Sequence, residues 1–177
     1  RNLYSALRFM LHYRELPAPW VVEFALAAIT DDRYATGAER PGGPDSSPTR
    51  LSYLAGEDAL LTCSLGLLKC REAVPVLLDR VRKSEDAREL VSALGLIGDA
   101  RAGPVLLETL RPLLATPELE RESWDQIQHL MEALGGVKCA EAVPLLSEHV
   151  RYPEAIVALE YIGDARALPA LRRVNED

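Results

Sequence analysis

Two thiols stand beside ammonium groups in this chain: Cys70 follows Lys69, and Cys139 follows Lys138. A neighbouring cation stabilises a thiolate, so these are the most reactive-looking groups in the sequence. The competing reading is two small, partly buried residues built into a turn. With Cys63 the cysteines number three, and none are in CxxC spacing. That argues against a disulfide framework or a zinc site and for the reduced thiols of a cytoplasmic protein. His12, His129 and His149 are scattered; only His149 has an acidic neighbour, Glu148, and one Glu-His step is not a ligand set. There is no GxSxG elbow, no P-loop and no GxGxxG. Ser64, Ser92 and Ser123 fall inside predicted helices. The sequence therefore offers no catalytic residue, no metal site and no cofactor site.

The elements that hold the two thiols are more informative than the thiols. Both occupy the same place in a phrase written four times: LGLLKCREAVPVLL at 65–78, LGLIGDARAGPVLL at 94–107, LGGVKCAEAVPLL at 134–146 and LEYIGDARALPAL at 159–171. Each copy reads as an apolar helix end, a tight turn, an Ala, and a Pro opening a second apolar run. Recurrence at such intervals marks a repeat array. The register prolines are Pro75, Pro104, Pro144 and Pro169, separated by 29, 40 and 25 residues. In the long interval, Thr116-Pro117-Glu118 reads as N-cap, first-turn proline and first-turn acid, opening a helix to about Leu134. Ala73, Ala102, Ala142 and Ala167, two before each Pro, predict close helix approach. Five before the Pro stand Cys70, Asp99, Cys139 and Asp164. The two Asp residues are expected to cap the second helix, which Cys does poorly.

The second helices are amphipathic, with Val76, Leu77, Leu78 and Val81 apolar in one copy and Val105, Leu106, Leu107 and Leu110 in the next. The opposite stripe carries charge: Glu72, Asp79 and Arg82; Arg101, Glu108 and Arg111; Glu141, Glu148 and Arg151; then Arg166, Arg173 and Glu176. Acid and base three apart on a helix are neighbours, so Asp79–Arg82, Glu108–Arg111 and Glu148–Arg151 are expected to pair. Three before each Pro the sign alternates, Glu72, Arg101, Glu141, Arg166, which predicts a charge ladder across stacked units. Self-paired acids would repel phosphate, and the net charge is −7, so nucleic acid is not the expected partner. No apolar run reaches the length of about 20 residues a membrane span needs.

The phrase LGxIGDxRAxPxLL resembles the HEAT-like repeat of the phycobilin-lyase type, over about 57–177. The resemblance implies an all-α fold, an α-solenoid of stacked antiparallel helix pairs. It departs from the pattern at Lys-Cys, in copies one and three, and at Gly103, where an aliphatic residue is usual. The expected organisation is a divergent helical pair at 1–35, a flexible Gly/Pro/Ser-rich loop at 36–49 and four repeats at 50–177, cut from a longer protein. Trp20 and Trp124 are expected between helices. Together these features point to a non-catalytic module or adaptor that binds a protein partner. Its binding surface would be lined by Glu72, Asp79, Arg82, Arg101, Glu108, Arg111, Glu141, Glu148, Arg151, Arg166 and Arg173. No membrane or small-molecule partner is expected. The alternative, implied by the resemblance alone, is a bilin-lyase-type accessory handling a tetrapyrrole or its acceptor protein.

Overall fold

A computed structural model describes Leu26, residues 62–84 and residues 87–174. The readings for 1–35 (Leu26 apart) and 36–49, and the start of the first repeat, lie outside the described residues. Within them the chain is an all-α solenoid with no strand. Four units follow one another. Helical residues 62–67 (α1) precede α2, Val74–Lys83. Next come α3, Arg88–Ile97, and α4, Gly103–Leu113. The long third unit has α5, Pro117–Glu122, then α6, Trp124–Gly136, and α7, Val143–Glu148. The last pair is α8, Pro153–Ile162, and α9, Leu168–Val174. A 3₁₀ turn joins the helices of each unit, at Arg71–Ala73, Ala100–Ala102, Ala140–Ala142 and Ala165–Ala167.

Each register proline lies in the first turn of a second helix. Proline has no N–H to lose there, and its fixed φ suits the helix. The alanines two before it are buried in every unit. The first helices α3, α6 and α8 stack side by side, and α6 also packs on α4. Their approach is close: a Cβ added to Gly95 would stand 2.7 Å from the Ala133 Cα, and one on Gly135 would stand 2.9 Å from the Ala158 Cα. Leu65, Leu77, Leu94, Leu106, Leu134, Leu146 and Leu159 fill a single core between the layers. A repeat cannot bury its apolar face alone, so this core exists only through stacking.

Two expectations need correction. Thr116 does cap its helix, accepting from the Leu119 N–H at 3.3 Å. That helix does not run on to Leu134, because Ser123 leaves helical geometry (φ −106°, ψ 17°) and divides α5 from α6. The Asp residues do not cap the second helices directly. They cap the preceding 3₁₀ turn, while the residue before each second helix, such as Ala102, is already helical.

Candidate interaction surface

The four turns come in two chemistries on one backbone path. In units two and four the left-handed position after the first helix is glycine, Gly98 and Gly163, both at φ 70°. In units one and three it is Lys69 and Lys138, at φ 52° and 54°. There the next amide also reaches back, Cys70 N–H to the Leu65 carbonyl and Cys139 N–H to the Leu134 carbonyl, both 3.0 Å. That doubled closure is a Schellman motif, which holds a lysine in a region side chains disfavour.

In the Gly-Asp turns, Asp99 Oδ1 accepts from the Arg101 N–H at 3.0 Å, and the Arg101 side chain grips the same carboxylate, Nη2 to Oδ2 at 2.8 Å. Arg101 Nη2 also donates to the Arg71 carbonyl of the preceding unit at 3.1 Å. The fourth unit repeats this: Asp164 is gripped by Arg166 at 2.7 Å, and Arg166 Nη2 donates to the Ala140 carbonyl at 3.0 Å. These hydrogen bonds, above all from the Arg side chains, hold the Asp99 and Asp164 carboxyls down at about 2. In the Lys-Cys turns the thiols are buried and donate weakly to the carboxylate two residues on, Cys70 to Glu72 at 3.4 Å and Cys139 to Glu141 at 3.5 Å. Burial foremost, together with the facing glutamate, pushes both thiols up from their ordinary range. The adjacent lysine does not activate them, so these cysteines are packing residues.

All eleven residues expected to line the surface are exposed. Their pairing differs from expectation. Asp79 pairs with Lys83, one turn on, at 2.6 Å, rather than with Arg82. Arg151 is not on a helix at all, because α7 ends at Glu148. It pairs with Glu120 at 2.6 Å and lies over the Tyr152 ring, 4.6 Å from its centroid. Tyr152 also donates to Glu120 and packs on half-buried Trp124, ring centroids 4.4 Å apart. The Tyr152 hydroxyl first, then Arg151, draws the Glu120 carboxyl below its usual range. Across the first and third junctions the ladder's charges do act on each other, Glu72 with Arg101 and Glu141 with Arg166, but the arginines' hydrogen bonds to the preceding unit go to backbone carbonyls; Arg173 donates to the Pro169 carbonyl of its own helix at 3.3 Å.

Sequence reasoning missed Glu120 and Tyr152. The signal was the 40-residue interval, which adds α5 over an aromatic loop. The structure does bring Glu108, Arg111 and Glu141 together. With Pro104 and Leu107 they line a shallow groove of about 380 Å³ between α4 and the turn of the third unit. Glu72 and Arg82, and Glu148 and Arg166, lie outside it.

Among the described residues, no group of three or more His, Cys, Asp or Glu is placed to hold a metal ion. No helix there is long and apolar enough to cross a membrane. Residues 86–111 and 154–174 match the PBS lyase HEAT-like repeat family. The two matched stretches are the two units with Gly-Asp turns. Neither the curated proteins nor the solved structures contain a match to the chain.

Proposed function

We propose that this HEAT-like repeat protein is a non-catalytic interaction module or adaptor, binding a protein partner through the surface lined by its second helices. The observation that carries this is the groove at Glu108, Arg111 and Glu141, where three charged side chains face solvent with no ion pair among them. Elsewhere on the array Arg101, Arg166, Asp79 and Arg151 are engaged internally, by Asp99, Asp164, Lys83 and Glu120, and exposed Arg82 and Glu148 lie outside the groove. Stacked units hold such groups in fixed positions, which lowers the cost of ordering them on binding. The mixed signs suit a partner with patterned charge rather than a uniform polyanion.

Site-directed photocrosslinking tests the reading. Benzoylphenylalanine placed at Arg82 or Arg111 is expected to yield discrete protein adducts, while the same group at Glu89 or Glu132 on the first helices yields none. Adducts confined to the first-helix positions would contradict it. A bilin-handling accessory has only the repeat resemblance behind it, and it predicts a shifted bilin absorption band on mixing with the chain.

A further inference from the structure

We infer that the groove between the second and third units takes a basic side chain of the partner protein, its aliphatic stem on Pro104 and Leu107 and its cation between Glu108 and Glu141. This rests on the interaction reading above and specifies it. The floor is apolar: Leu107 is 6% exposed, and Pro104 opens α4 beside it. The rim carries two carboxylates and one guanidinium, Arg111, so the charge that remains is negative. Long basic side chains cover apolar surface with their stems while the charged head meets an acid.

The arrangement belongs to this junction alone among the three described. At the first junction the place of Glu141 is taken by Arg101, and at the third by Arg166. Both arginines are folded onto their own Asp and onto a carbonyl of the unit before. At the third junction Ser147 also stands where Leu107 stands, and Arg151 has left the face for Glu120. At the middle junction Gly103 lets the incoming turn approach, since a Cβ there would stand 3.0 Å from the Cys139 Sγ. That approach sets Glu141 at the rim.

The probe is a displayed library of random linear peptides selected on the whole chain, followed by anisotropy of the fluorescein-labelled consensus peptide. The expected consensus carries Lys or Arg beside an apolar residue. Binding is expected to weaken roughly two- to fivefold in Glu108→Gln and in Glu141→Gln, as for exposed ion pairs, further in the double variant, and further with added salt. Glu132→Gln, exposed on the first helix α6 and outside the groove, is expected to leave it unchanged. Replacing the peptide's basic residue by norleucine should reproduce the loss from the ligand side, independently of how any variant folds. Acidic or neutral consensus peptides, or binding indifferent to both glutamates but lost on other second-helix substitutions, would overturn the groove and leave the interaction reading standing. A library that yields no binder, or only binders indifferent to every second-helix substitution, would overturn both.

Discussion

The first and third junctions of the array are closed by arginine, and the middle junction is closed by packing. At the former, Arg101 and Arg166 reach back to carbonyls of the preceding unit while holding their own Asp. At the latter, buried Cys139 settles against Gly103 and no arginine among the described residues bridges the turns, although Arg88 and Asp125 pair at 3.8 Å between the first helices. The difference arises two residues into each turn. Where Asp caps the 3₁₀ turn, an Arg follows that both satisfies the Asp and spans the junction. Where Cys stands instead, a Glu follows, with a weak thiol contact and its charge facing outward. Turn chemistry thus decides which turns are internally paired and which offer charge to a partner.

The core beneath should ignore this distinction. Leu106, under a Gly-Asp turn, and Leu146, under a Lys-Cys turn, are both fully buried two residues past their register proline. Each change to Ala should cost about 2–5 kcal/mol. Thermal melts giving a large loss at one and a trivial loss at the other would show that the two unit types do not share one core.

The packed junction should fail when its gap is filled. Gly103→Val restores the aliphatic residue found at Val74 and Val143, yet its Cβ would press on the Cys139 sulfur. The expected loss is about 1–3 kcal/mol, as for other overpacked sites, partly recovered by Cys139→Ala. A neutral Gly103→Val would mean that Cys139 does not set the approach of the third unit.

Much of this was legible in the sequence, and what was not has specific physical causes. The prolines fixed the start of every second helix because their geometry is local, and Thr116 fixed α5 for the same reason. The break at Ser123 was hidden, since nothing in its immediate neighbours forbids a helix. The grip of Arg101 on a carbonyl 30 residues away depends on how units stack, which no single unit encodes. The acidity of the thiols came out inverted: Lys69 and Lys138 are adjacent in sequence, but burial of the sulfur outweighs a neighbour whose side chain points into water.

The two turn types should also separate under acid. Asp99 and Asp164 titrate at about 2, below an ordinary carboxylate near 3.8. A lowered folded value means stability present above the ordinary value and lost as pH falls from there through about 2. Nuclear magnetic resonance should show the Arg101 and Arg166 amide shifts moving with midpoints near 2. Midpoints near 4 would show the arginine grips to be loose in solution.

The smallest effect is expected at the strained lysines. Lys138→Gly relieves a left-handed side chain while raising the entropy of the unfolded chain, for a net gain of about 0.5–1 kcal/mol. A loss of stability would mean that the lysine side chain contributes more than its backbone costs.

The central claim is that Glu108 and Glu141 at the middle junction carry no ion pair among the described residues and face a partner, while the carboxylates of the Gly-Asp turns are held internally. Carbodiimide footprinting with glycine ethyl ester, read by mass spectrometry on the unliganded chain, tests it without any partner. Glu108 and Glu141 are exposed, whereas the side chains of Asp99 and Asp164 are 12% and 22% exposed and ion-paired. The account predicts rapid labelling of the two glutamates and slow labelling of the two aspartates. Equal labelling of all four, or faster labelling of Asp99 and Asp164, would contradict it.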